Sequence, residues 1–68
     1  MTEVIVVLPS PDEIKGARKD AGLTQAAAAA LVHAQRITWA QWESGARTIH
    51  MAFWELFLIK TGKFLSKN

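Results

Sequence analysis

Gln35-Arg36-Ile37-Thr38-Trp39-Ala40-Gln41-Trp42-Glu43-Ser44-Gly45 is the stretch on which the reading of this chain turns. It predicts a short helix from about Arg36 to Ser44, with glycine beyond it to end the helix. An α-helix turns by about 100° per residue, so the two faces of such a segment can be assigned from spacing alone. With Arg36 as origin, Ala40, Ser44, Ile37 and Gln41 fall within about 140°, whereas Thr38, Trp42 and Trp39 fall between about 200° and 300°. Two indoles can therefore seat the helix on a protein body. The opposite face offers one long cation, one amide, two small side chains and an isoleucine.

That outer face carries the chemistry needed to read a DNA major groove. Arg36 can donate two hydrogen bonds to guanine O6 and N7, Gln41 can pair with adenine N6 and N7, and Ile37 can lie against a thymine methyl. Small Ala40 and Ser44 would let the backbone approach closely. A plain surface helix, polar outside because water is there, has much the same composition. The neighbouring elements have to decide between the two.

Upstream, His33 and Ala34 form a short connection, and Gln35 stands where it can cap the helix that follows. Before them lies an alanine-rich helix, Gln25 to Val32, capped by Thr24, with high intrinsic helicity and little bulk. Gly22 separates it from a helix expected from Pro11 to about Ala21. The start of that helix is strongly marked: Ser10 at the N-cap, proline at the first helical position, and Glu13 placed to complete a capping box. Residues 3–8 are rich in Val and Ile, which suits a short strand ended by Pro9. Downstream, Arg47 and Thr48 lead to a helix expected from His50 to Thr61. Gly62 closes it, and a basic tail containing Phe64 and Leu65 follows. The expectation is one all-α domain over residues 1–68: an N-terminal β-strand within 1–9, a compact four-helix core over 11–61 and a tail over 62–68.

Sixty-eight residues bury only about 60% of the surface that the unfolded chain exposes, so the stability margin should be thin. There is no cysteine for a disulfide, and His33 and His50 lack the companions of a structural zinc site, so no metal is expected. Self-association is the staple that remains. The formal charge of +2 is a weak pointer to nucleic acid, but its distribution says more. Glu3, Asp12, Glu13 and Asp20 crowd the first part of the chain. Arg36, Arg47, Lys60, Lys63 and Lys67 face only Glu43 and Glu55 in the rest. No basic leader precedes the short apolar stretch Val4 to Leu8, and with cysteine lacking as well a cytoplasmic location is expected.

The combination Gly22-Leu23-Thr24-Gln25-Ala26, Leu31-Val32, Trp39 and Trp42-Glu43-Ser44-Gly45 resembles the Cro/C1-type (XRE-like) helix-turn-helix of phage repressors and bacterial regulators. The resemblance spans roughly residues 14–59 and implies a lambda-repressor-like fold and a transcriptional regulator. It implies base contacts at Gln35, Arg36, Ile37 and Gln41, and backbone contacts at Gln25, Ser44 and Arg47; Thr24 opens the second helix with Gln25, where donors at a helix N-terminus can hold a phosphate. Arg18 and Glu43 would form an ion pair tying the first helix to the end of the third. Three positions depart from the family's pattern. His33 replaces a frequent glycine in a turn of positive φ, a region where histidine is enriched among non-glycine residues. Ala28 replaces a larger aliphatic residue and Trp39 replaces Ile or Val, which reads as a paired exchange of volume. The segment Trp54-Glu55-Leu56-Phe57-Leu58 is similar to the fourth helix of regulators that accompany anti-CRISPR genes.

That fourth helix is apolar over more of its circumference than one core face can use. A homodimer on an inverted-repeat, palindromic operator of double-stranded DNA is the expected assembly, with Val4, Val6, Phe53, Trp54 and Phe57 at its interface. A monomer whose strand and tail cover the helix is the alternative. Residues 53–67 could also be read as a membrane-surface segment, but their charges gather at the tail rather than along a face. The same fold could serve as a protein-interaction module, as in an antitoxin or adaptor. Catalysis is not expected. Ser10, Ser44 and Ser66 lie in caps or the tail, no nucleophile elbow or phosphate loop occurs, and no cofactor or small-molecule substrate is implied.

Overall fold

Four helices follow one another along the chain: α1 (Pro11–Asp20), α2 (Gln25–Leu31), α3 (Arg36–Ser44) and α4 (Met51–Lys60). The computed structural model describes residues 7–63, and among these the fold is all-α with no strand. The strand expected over residues 3–8 lies outside the described residues except for Val7 and Leu8, which are exposed and in no regular element. Val4, Val6, Phe64, Leu65 and the rest of the expected tail beyond Lys63 also lie outside them.

Local chemistry sets the helix starts. The Ser10 Oγ accepts from the Glu13 N–H at 3.1 Å while the Glu13 carboxylate accepts from the Ser10 N–H at 2.8 Å, a complete capping box. Thr24 Oγ1 accepts from the Ala27 N–H and opens α2. His50 opens α4 through its ring, Nδ1 accepting from the Ala52 N–H at 3.0 Å. α3 differs from the expectation. Gln35 occupies the N-cap position with extended backbone, but its side chain makes no cap hydrogen bond. A glutamine carries one methylene more than asparagine and so is a poor fit to the tight capping geometry.

The turns behave as their residues dictate. His33 adopts φ 60° between α2 and α3, the left-handed conformation expected for that position. Gly45 ends α3 at φ 85°, where a Cβ would also stand 3.6 Å from the Pro11 side chain. Lys60 then reaches back from α4 to donate to the Leu31 carbonyl at 2.8 Å, satisfying an acceptor at the end of α2.

The core gathers Ile14 from α1, Ala28 and Ala29 from α2, Val32, Trp39 and Trp42 from α3, Ile49, and Phe57 from α4. α2 lies closely on α3, α1 also packs on α3, and α4 packs on α2. Trp39 is fully buried, with its ring 5.4 Å from Trp42 and 5.0 Å from Phe57. Ala28 is fully buried in the same cluster, so a methyl group on α2 faces a core that an indole fills.

Phe57 thus corrects an expectation. It was assigned to a dimer surface, yet it has no exposed area and belongs to the core. An apolar helix with little face contrast gives spacing no means of choosing which ring turns inward. Trp54 stacks on Phe57 at 5.9 Å and is half-buried, and Phe53 remains 36% exposed while leaning on Trp42.

Trp39→Ile should remove more volume than the surroundings can recover and cost about 2 to 4 kcal/mol. A thermal melt is expected to fall by roughly 10 °C or more. Adding Ala28→Leu to Trp39→Ile should restore part of the loss. An unchanged melting temperature in the single variant would overturn the exchange of volume between the two positions.

Candidate nucleic-acid interface

The outer face of α3 is fixed by what its inner face grips. Trp39 and Trp42 project into the core, which leaves Arg36 and Ile37 exposed and Ala40 and Gln41 half-buried on the other side. Ile37 is 56% exposed. Gln35 stands exposed one residue earlier. Of the four residues expected to read bases, Arg36, Ile37 and Gln41 share the face opposite the indoles, and Gln35 precedes that face at the N-cap.

At the far end of the same helix, Glu43 turns inward and becomes the junction of three elements. Its carboxylate accepts from Arg18 Nε and from Arg18 Nη2, the latter at 3.1 Å, a two-pronged contact with α1. Gln25 Nε2 donates to the same carboxylate at 3.1 Å from the first residue of α2. The Trp39 indole N–H donates to it from one turn earlier in α3. Arg18 also donates from Nη1 to the Leu23 carbonyl at 3.0 Å, so it holds the α1–α2 turn as well. Both charged side chains are largely covered, at 12% exposed for Arg18 and 5% for Glu43.

These contacts alter the ionisation of both groups. Burial alone would push the Glu43 carboxyl up, but the hydrogen bonds from Arg18, Trp39 and Gln25, helped by the Arg18 charge, hold it below its ordinary value. The hydrogen bond to Glu43 raises Arg18 against the opposing effect of burial. No buried side-chain nitrogen or oxygen among the described residues lacks a partner.

The Arg18–Glu43 pair stands where it was expected. The positions expected to touch a DNA backbone have varied surroundings. Thr24 uses its hydroxyl oxygen to cap α2 while remaining exposed, and Arg47 is exposed beyond α3. Ser44 is exposed, but its hydroxyl donates to the Gln41 carbonyl at 3.2 Å and accepts from the Ala46 N–H. Gln25, expected to meet phosphate, uses its amide to hold Glu43, which leaves its carbonyl and second N–H for other partners. The indole bond to Glu43 went unread in the sequence, although residues four apart on a helix are neighbours and Trp39 and Glu43 have that spacing. Nothing in spacing could have joined Gln25 to Glu43, because that contact exists only once α2 and α3 have docked.

Among the described residues, no group of three or more His, Asp or Glu side chains converges on a metal position, and no helix is long and apolar enough to cross a membrane. Comparison of the chain with protein-family models and with curated proteins gives no match.

A carboxylate lowered on folding contributes stability that is complete above its unfolded value, about 4.3, and that drains away as pH falls through the lower folded value. Glu43→Gln should therefore cost about 3 kcal/mol at neutral pH by leaving Arg18 buried without its counter-charge. The difference from the wild type should shrink as pH falls from the unfolded value through the lower folded value, where the wild-type carboxyl in the folded protein also takes up a proton. Urea unfolding of both proteins at neutral and acid pH checks this, and a penalty that is the same at both would overturn the role of the ionised form.

Proposed function

We propose that this chain is a sequence-specific, DNA-binding transcriptional regulator of the lambda-repressor-like, Cro/C1 type, which enters the major groove with α3 and acts as a repressor by occupying its operator. The observation that carries the reading is the two-sidedness of α3: two buried indoles on one face, and exposed Arg36 and Ile37 with half-buried Gln41 on the other. A helix seated this way can insert its free edge into a duplex without unfolding anything. The resemblance at Gly22-Leu23-Thr24-Gln25 and Trp42-Glu43-Ser44-Gly45 supports it, as does the Arg18–Glu43 pair that fixes the end of α3.

In this reading Arg36 reads guanine, Gln41 reads adenine and Ile37 rests on a thymine methyl, with Gln35 at the groove edge. Thr24, Gln25, Ser44 and Arg47 meet phosphates and set register without reading sequence. The regulator works as a homodimer whose two reading helices lie about 34 Å apart on an inverted repeat. Phe53, 36% exposed, with half-buried Trp54 on the same side of the helix, offers α4 as the dimer face, and Phe57 supports it from below. Small phage or mobile-element repressors fit this outline.

Selection of bound duplexes from a random library is expected to return a palindromic site. Arg36→Ala should cost about 1 to 3 kcal/mol of affinity and relax preference at one base pair per half-site, with the melting temperature unchanged. Recovery of no preferred sequence, or an Arg36→Ala variant that regulates as the wild type does, would overturn base reading and favour a protein-binding role for the same face. Sedimentation should give a species of twice 7.5 kDa that Phe53→Glu dissociates. A 7.5 kDa species alone, with and without operator, would remove the dimer.

A further inference from the structure

α4 differs from α1 and α2 in the atom that caps it. Ser10 and Thr24 cap with hydroxyl oxygens, which keep their acceptor lone pairs whatever the pH. His50 caps with its ring: Nδ1 accepts from the Ala52 N–H at 3.0 Å, so the imidazole is neutral there and carries its proton on Nε2. The backbone of the same residue holds the rest of the turn, its carbonyl accepting from the Phe53 N–H at 3.0 Å and from the Trp54 N–H at 3.2 Å. Those two residues carry the rings offered as the dimer face. Buried Ile49 fixes the chain just before His50, and buried Phe57 fixes α4 further along. The first turn lies between these anchors and can loosen without moving either.

No charge nearby favours an imidazolium at this position. Arg47 precedes His50 in the connection and Glu55 follows it on α4, and neither forms an ion pair among the described residues. α2, which packs on α4, has no charged residue. α3 touches α4 through its two indoles; its Glu43 is held by Arg18, and its Arg36 stands on the outer face. Protonation of the ring therefore acts twice in the same direction. It takes the acceptor from the Ala52 N–H, and it sets a cation beside the partial positive charge of the first turn.

We infer that His50 is a pH-sensitive catch on α4, closed when its ring is neutral and released by a proton, so that acid loosens residues 51–54 and weakens association through the face they carry. The stabilisation is complete above the histidine range, about pH 6.5, and is lost as pH falls through it. Glu43, held below its ordinary value, keeps its charge over this interval, so the junction at α3 stays closed. The catch stands on the capping geometry; its effect on association rests on the proposed dimer.

NMR of the full chain, titrated from about pH 8 to about pH 5, tests the catch. The Cα shifts of residues 51–54 are expected to move toward coil values in step with the His50 ring, while those of residues 57–60 hold. His50→Asn keeps a cap that does not titrate and should abolish the movement. His33→Asn, at the positive-φ turn that asparagine also tolerates, should leave it unchanged. Sedimentation of the wild type should give a dimer dissociation constant about fivefold higher at the acid end, a change that His50→Asn removes. Cα shifts at residues 51–54 that ignore the titration of the ring, or a pH response that survives His50→Asn, would overturn the catch. A dimer indifferent to pH while the first turn loosens refutes only the link to association. A chain that is monomeric throughout refutes the proposed dimer, and the NMR titration still decides the catch.

Discussion

The carboxylate of Glu43 is the constraint on which the rest of the fold depends. A charged group this well covered is tolerated only when it is paired and its oxygens are hydrogen-bonded, and here four donor groups satisfy it. Those donors come from Arg18 on α1, Gln25 on α2 and Trp39 on α3, so the position of one side chain fixes three helices relative to one another. Hydrophobic burial alone would not do this, since it is non-directional and α2 carries little besides methyl groups with which to define an angle. The polar junction supplies the direction that the alanine run lacks.

Trp39 links this junction to the core. Its ring is fully buried in the same cluster as Ala28 and Ala29, and its N–H reaches the carboxylate one turn along the same helix. One residue thereby decides both how deeply α3 sits and which way it faces. The outward edge at Arg36, Ile37 and Gln41 follows from that placement, and the proposed reading of DNA uses a surface whose orientation is set from behind. Gln25 stands on both sides of the arrangement, since its amide holds Glu43 while its remaining polar atoms belong to the surface where a backbone contact is proposed.

α4 is governed differently. Phe57 enters the core and Trp54 stacks over it, while Phe53 and Ile59 stay in part or largely exposed. The helix is held by Phe57, by the partly buried Trp54, Leu56 and Leu58 packed on the core, and by Lys60, which crosses to the end of α2. Apolar area left on such a helix is compatible with a second copy of the chain, and a domain with so small a core gains from covering it.

Local signals were enough to locate the elements. Ser10, Pro11 and Glu13, then Thr24, Gly45 and His50, mark helix ends through contacts spanning two or three residues, which is why boundaries read from spacing fall within a residue of those observed. The two faces of α3 were legible for the same reason, because a period of 3.6 residues puts both indoles on one side. Spacing could not decide which ring of a nearly all-apolar α4 turns inward, and it is Phe57 that does so. Nor could it find the bond from Gln25 to Glu43, which joins residues 18 positions apart and forms only when two helices dock. Periodicity reports how a helix is shared between core and solvent when its faces differ. Where they do not differ, or where a polar contact joins distant segments, only tertiary packing settles the outcome.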